Sequence, residues 1–197
     1  MKNCEFVKSC YKKSDFITDD KFEVCFVGRS NSGKSSLINA IFNNKKLAKT
    51  SALQGKTKLI NYFLVDNKFY LVDLPGYGFH KAGKLNEKNW SVLIEDYFAQ
   101  KEGKKLVMLL VDIRHCPSEE DKQMLKFLNF YNIPFKIIAT KSDKIAKSKR
   151  NNQKLMIAKE LNVGKDDIIF CSSEINENID LIKNLIKERV DNLNEMS

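Results

Sequence analysis

An apolar run, Phe22–Val27, leads directly into Gly28-Arg29-Ser30-Asn31-Ser32-Gly33-Lys34-Ser35-Ser36, and a helix-like run over Ser35–Asn43 follows. Two glycines five apart, with Lys and Ser directly after the second, form a loop pattern that works only between a strand and a helix. No other stretch limits the fold as strongly. A loop of Gly and Ser can turn its backbone N–H groups inward into a concave anion site, and the helix behind it adds its positive end. In such a loop Lys34 would reach the β- and γ-phosphates of a nucleotide, and the Ser35 hydroxyl would ligate Mg²⁺. A plain Gly turn would have no need of Lys-Ser in this register.

Apolar runs alternate with helical patterns along most of the chain. Leu59–Val65 and Lys68–Asp73 read as a hairpin joined by Asp66-Asn67. Lys105–Asp112, Phe135–Thr140 and Asp167–Cys171 read as continuous strands buried on both faces. Helical patterns cover 86–100, 118–131, 149–161 and 178–192. In the second of these, Met124, Leu125, Leu128 and Tyr131 recur at the spacing of a buried stripe, and Ser118 with Glu119, Glu120 and Asp121 marks its start. This alternation predicts an α/β three-layer sandwich. Its sheet would be six-stranded and mostly parallel, with one antiparallel strand from the hairpin and helices on both faces. At 197 residues the chain is expected to be a single domain spanning 1–197.

In an open sheet of this kind, ligands bind at the carboxyl ends of the strands, and the remaining polar motifs fall there. Asp73 ends a strand and opens Asp73-Leu74-Pro75-Gly76, where it would hold Mg²⁺ through a water opposite Ser35. Gly76 would let its N–H approach a γ-phosphate. Thr140-Lys141-Ser142-Asp143 follows another strand. The Asp143 carboxylate would accept the paired N1 and N2 donors of guanine, which adenine lacks, while the Lys141 stem would lie along the base. Cys171-Ser172-Ser173 would close the base pocket, although a strand ending in two serines has the same pattern. Thr57 is the best placed threonine to ligate Mg²⁺ and sense the γ-phosphate. The segments 44–60 and 74–88 are therefore the expected switch loops.

The bulk properties narrow the setting. The longest apolar run, Leu106–Val111, is far too short to span a bilayer. The first residues lack an apolar signal core, so a cytoplasmic location is expected. Five cysteines without a paired framework fit reduced thiols. The net charge of +9 is unevenly spread. Lys45, Lys46, Lys49, Lys56 and Lys58 lie in a stretch without an acid, and Lys141, Lys144, Lys147, Lys149, Arg150 and Lys154 share theirs with Asp143 alone. Such stretches suit an RNA partner, but a Lys- and Asn-rich codon bias would leave the same trace.

Taken in order, GRSNSGKSSLINAIF, GKTKLINYF, LVDLPGYGF, VDIRHCPSEED and ATKSDK resemble the EngB/YsxC (YihA) family of bacterial GTPases, within the TrmE–Era–EngA–YihA–septin-like group. The likeness runs over residues 5 to 190. It implies a Ras-like P-loop GTPase fold, binding of GTP and GDP with Mg²⁺, slow hydrolysis, and a nucleotide switch in assembly of the large ribosomal subunit, with linked effects on septation and cell division. Carried across, Gly28–Ser36 would bind phosphates, and Ser35 with Thr57 would hold Mg²⁺. Gln54, Gly55, Lys56, Thr57 and Lys58 would cover the nucleotide, and Asp73–Gly76 would face the γ-phosphate. Thr140–Asp143 and Cys171–Ser173 would hold guanine. The pattern breaks at Asn178, where a Gly is expected before the last helix.

Tyr77 stands where Ras-like GTPases carry the Gln that orients the attacking water. Hydrolysis would then rest on Lys34, Mg²⁺ and backbone dipoles, and slow intrinsic turnover is expected. By analogy with related GTPases lacking the Gln, Asn31 is a candidate K⁺ ligand, although an Asn there also simply tolerates a left-handed turn. Arg114 and His115, after the strand ending at Asp112, fit a loop cap or a partner contact. The expected partner is ribosomal RNA and protein. The alternative is a GTP-gated switch or scaffold of the division machinery that binds a protein. A monomer is expected.

Overall fold

Seven strands form one sheet in the order β1-β3-β4-β2-β5-β6-β7. They are β1 (Cys4–Cys10), β2 (Phe22–Gly28), β3 (Ile60–Val65), β4 (Phe69–Asp73), β5 (Lys105–Asp112), β6 (Phe135–Thr140) and β7 (Ile168–Phe170). The computed structural model describes residues 1–48, 59–78, 84–100 and 103–194. Strand β2 lies between two parallel neighbours, β4 and β5, and β6 and β7 continue in the same direction. Strand β3 runs against both β4 and β1. The α/β class and the single reversed strand are as the sequence predicts. The strand count is corrected from six to seven, because β1 joins the edge of the sheet.

Strand β1 shows no clean apolar alternation, with three of its seven residues exposed and three half-buried. Cys10 is its one buried residue, Phe6 and Val7 face solvent, and the register slips between Phe6 and Lys8. Polar contacts tether it instead. The Asp66 carboxylate accepts the N–H groups of Lys2 (2.9 Å) and Asn3 (2.7 Å), and Ser9 Oγ donates to Asn61 Oδ1 at 2.6 Å. Asp66 and Asn67 also make the predicted hairpin turn. Both have positive φ (48° and 58°), and Lys68 N–H closes on Val65 O at 2.8 Å. A two-residue turn that follows the strand twist requires this conformation, and Asp and Asn accept it readily.

The helices are α1 (Lys34–Ile41), α2 (Lys84–Phe98), α3 (Glu119–Phe130), α4 (Lys147–Leu161) and α5 (Ile179–Asn194). Alternation along β2 sorts the two layers. Val24 and Phe26 pack with Leu37, Ile38 and Ile41 of α1 and Ile182 and Ile186 of α5. Cys25 and Val27 pack on the other face with Leu93 and Tyr97 of α2, Leu125 of α3 and Ile157 of α4. Helix α3 starts where Ser118 predicts. Asp121 N–H donates to Ser118 Oγ (3.3 Å) while Ser118 N–H donates to Asp121 Oδ2 (2.8 Å), a reciprocal cap. No helix among the described residues is long and apolar enough to cross a membrane.

Parallel register is what assembles the site. Phe26 is level with Asp73, Gly28 with Leu110, and Asp112 with Thr140. The loops that follow β2, β4, β5 and β6 therefore leave the sheet along one edge.

Candidate functional site

The loop between β2 and α1 is shaped by close backbone approach. A Cβ on Gly28 would lie 2.7 Å from both Leu110 O and Ser32 Oγ, so only glycine fits. Asn31 (φ 65°) and Gly33 (φ 92°) both take left-handed backbone, and Ser32 N–H donates to Arg29 O at 3.0 Å. Gly33 is the residue before α1, and its C=O accepts Leu37 N–H at 2.9 Å. Lys34 and Ser35 therefore open the helix, half-buried at its positive end, while Ser36 is exposed. The Ser30 and Ser32 hydroxyl oxygens are buried with no hydrogen-bond partner. Buried hydroxyls are normally satisfied. A loop that holds two free donors beside a helix N-terminus fits an anion.

The segment after β4 is strapped along this loop. Leu74 N–H donates to Phe26 O (3.0 Å), Tyr77 N–H to Gly28 O (3.3 Å) and Ser30 N–H to Tyr77 O (3.1 Å). Trp90 Nε1 holds the Pro75 carbonyl at 3.1 Å. A Cβ on Gly76 would meet Gly28 O at 3.1 Å and Ser30 N at 3.3 Å, so a side chain there would press into the loop. Lys34 and Asp73, expected on phosphate and on a metal-bound water, form an ion pair with each other. The Tyr77 ring is turned away from this edge. It is buried against Trp90, and its Oη donates to Asp121 Oδ1 of α3 at 2.7 Å. Burial first, then the Asp121 charge, pushes the phenol pKa well above its ordinary value.

The loops after β6 and β7 meet beside this cradle. Thr140 is buried, and its Oγ1 donates to Ser32 O (2.5 Å), with Val111 O also in reach at 3.1 Å. Lys141 takes left-handed backbone (φ 62°) and extends its Nζ to Asn31 O (2.6 Å) and Asp112 Oδ2 (2.8 Å). Thr140 and Lys141 thus brace the first loop through its carbonyls. Ser172 Oγ donates to Asp143 Oδ1 at 2.6 Å, and Lys144 pairs with Asp143 Oδ2 at 2.9 Å. Burial would raise the Asp143 pKa, but these contacts outweigh it and hold the carboxyl below its ordinary value. An ionised Asp143 is the form that accepts donors.

The structure brings Gly28–Ser36, Asp73–Gly76, Thr140–Asp143 and Cys171–Ser173 to one edge. The expected residues Gln54, Gly55, Lys56, Thr57 and Lys58 lie outside the described residues, as do parts of the two expected switch loops. Arg114 proves to be a cap. Its Nε and Nη2 grip Asp112 at 2.9 and 2.7 Å. Asp112, Asp121 and Glu177 take part in the site's framework although the sequence assigns none of them a site role; Asp112 and Asp121 lie in the VDIRHCPSEED stretch. Asp112 ends a predicted strand, which was a usable signal. Glu177, whose carboxylate accepts Ser142 Oγ and Arg150 Nη1, gave none.

The same elements recur in known proteins. A family model described as a 50S ribosome-binding GTPase matches residues 23–141. The chain is 46% identical over 193 residues to a probable GTP-binding protein EngB of Fusobacterium nucleatum subsp. nucleatum, covering 98% of this chain and 99% of that one. It is also 46% identical over 177 residues to a probable EngB of Clostridium kluyveri, covering 90% of each. The crystal structure of a probable GTP-binding protein engB superposes with a TM-score of 0.73 over 86% of this chain and 99% of that chain, and at 24% identity it shows the shared fold. The strand, phosphate loop and helix at one sheet edge, together with this identity along nearly the whole chain, lead to one conclusion: the chain belongs to the EngB family of GTP-binding P-loop GTPases.

Proposed function

We propose that this GTPase is a slow nucleotide switch that acts in the cytoplasm, as one GTP-binding domain over 1–197 and as a monomer, in assembly of the large ribosomal subunit. Effects on septation and cell division would follow from that role. The observation that carries the nucleotide site is the pair of buried, unpartnered Ser30 and Ser32 hydroxyls in a loop closed by Gly28 and Gly76. The family's description as 50S ribosome-binding supports the partner.

In this proposal the backbone N–H groups of Gly28–Ser36 bind the phosphates of GTP or GDP. Lys34, paired here with Asp73, would instead pair with the β- and γ-phosphates, and Ser35, Thr57 and Asp73 (the last through a water) would hold Mg²⁺. Mg²⁺ would neutralise charge on the phosphates. Asp143 selects guanine, with Lys141 along the base and Cys171–Ser173 behind it, while Gln54–Lys58 cover the nucleotide. Residues 44–60 and 74–88 serve as the switches. Tyr77 is spent on Asp121 and leaves no side chain at that position to orient water. Slow hydrolysis fits this. Asn31 is exposed and left-handed, and we assign it as a K⁺ ligand. Equal GTP turnover in matched KCl and NaCl, with ribosomal particles present, would remove that assignment.

The basic stretches divide on inspection. Lys141 and Arg150 are committed internally and Lys144 pairs with Asp143, whereas Lys147 and Lys149 of α4 and Lys45 and Lys46 after α1 are exposed. These exposed lysines are the proposed RNA contacts. Co-sedimentation with large-subunit particles in GTP, GDP and a non-hydrolysable analogue tests the proposal. Binding should favour the GTP forms, and its log–log salt slope should gain about −0.7 to −0.9 for each phosphate neutralised. Salt-independent binding would favour a protein partner of the division machinery.

A further inference from the structure

Glu177 belongs to none of the nucleotide motifs, yet it grips both loops of the base site. Its main chain exchanges two hydrogen bonds with Ser172, at 3.0 and 3.1 Å. Its carboxylate accepts Ser142 Oγ on Oε2 and Arg150 Nη1 on Oε1. The residues it holds are the immediate supports of Asp143. Ser142 precedes it in the chain, and Ser172 Oγ donates to its Oδ1. Ser142 N–H also donates to Cys171 O at 3.0 Å, so the two loops are joined at three points.

Arg150 fixes the other end of this clip. It is buried on α4, its guanidinium lies 5.8 Å from the Phe170 ring centroid, and Glu177 is its counter-ion. A buried guanidinium needs a paired carboxylate, and this requirement holds Glu177 in place. Pairing Arg150 alone would leave the second carboxylate oxygen facing no particular group. Here that oxygen takes the hydroxyl next to the guanine-selecting residue. The Glu177 charge is also felt in the pocket: after burial itself, it is the further cause that pushes the Cys171 thiol up to about 12.

We infer that Glu177 is a positioning residue for base selection, locking Ser142 and Ser172 together so that both Asp143 oxygens face the paired donors of guanine. The inference rests on the assignment of Asp143 as the guanine-selecting residue above. Loss of the clip should blur which base is preferred more than it weakens nucleotide binding as such, because the phosphate loop is built from other residues.

The test is displacement of a fluorescent GDP analogue from the full chain by GDP and by IDP, whose base lacks the 2-amino donor. The unmodified chain should prefer GDP by about tenfold or more, the worth of one hydrogen bond to a charged group. In Glu177→Ala and in Ser142→Ala that preference should fall by about three- to tenfold, and the double variant should fall no further than the singles. If Glu177→Ala does not fold, Ser142→Ala decides alone, since it leaves the Arg150–Glu177 pair intact. An unchanged GDP-to-IDP preference in the folded variants, with thermal stability alone reduced, overturns the inference. Asp143→Asn separates this failure from a deeper one. Its amide N–H should face the 2-oxo group of xanthine and turn preference toward XDP. If Asp143→Asn still prefers GDP, the guanine assignment itself fails. If it turns to XDP while the other variants keep the original preference, only the role of Glu177 fails.

Discussion

Tyr77→Phe removes one oxygen and keeps the ring against Trp90, at 6.0 Å between centroids. The bond lost is the 2.7 Å donation to Asp121 Oδ1, between two buried side chains. A hydrogen bond to a charged group contributes about 1.5–3 kcal/mol. Asp121 would keep its contacts with Ser118 N–H (2.8 Å) and Ser118 Oγ (2.9 Å), so the carboxylate is not stripped. The lower half of that range, about 1.5–2 kcal/mol, is therefore expected. For a chain of this size each kcal/mol shifts Tm by about 2–4 °C, giving a fall of about 3–8 °C. Circular dichroism melts with matched GDP concentrations would read it, because bound ligand also raises apparent stability. GTP turnover, measured well below both transitions, should stay within about twofold, since the phenol faces α3 and not the phosphate edge. A loss of turnover of about tenfold or more at unchanged Tm would refute this placement of the phenol.

Two further substitutions probe the framework. Gly28→Ala would put a methyl 2.7 Å from Leu110 O, and overpacking of about 1–3 kcal/mol, if felt at the nucleotide loop, should weaken GDP binding by about 5- to 150-fold in calorimetric titration; unchanged affinity would contradict the tight approach. Asp112 is pushed up by burial, but hydrogen bonds from Arg114 and Lys141 win and hold its pKa well below the usual carboxylate range. Its folded value lies under its unfolded one, so its stabilisation is full above about pH 4 and is lost as pH falls through the folded value. The Tm gap between the unmodified chain and Asp112→Asn should therefore be widest near neutral pH and narrow below about pH 4. An equal gap at both ends would contradict the pairing.

What the sequence revealed and what it hid follow from how far each signal reaches. The phosphate loop, the Asp66-Asn67 turn and the Ser118 cap are local: each is set by backbone geometry within a few residues, and each is where the residues predict. Strand β1 was hidden because an exposed edge strand needs no apolar alternation. Asn178 looked like a break in the pattern, yet it takes the left-handed conformation (φ 57°) expected of glycine and adds a side-chain bond to Phe170 O at 2.8 Å. Thr140, expected with Lys141–Asp143 to hold guanine, gives its hydroxyl to the Ser32 carbonyl, a contact that no local spacing announces. Glu177 and Asp121 act across long sequence separations, 35 residues to Ser142 and 44 to Tyr77, which no spacing within the chain encodes.

Competition between GDP and ADP for the nucleotide site, read by displacement of a fluorescent guanine nucleotide with Mg²⁺ present, tests the base site most directly. An ionised Asp143 that pairs two guanine donors would be left unpaired by adenine, so ADP should require a concentration higher by about 10⁴-fold. Displacement by ADP within about tenfold of GDP would contradict a guanine site at Thr140–Asp143.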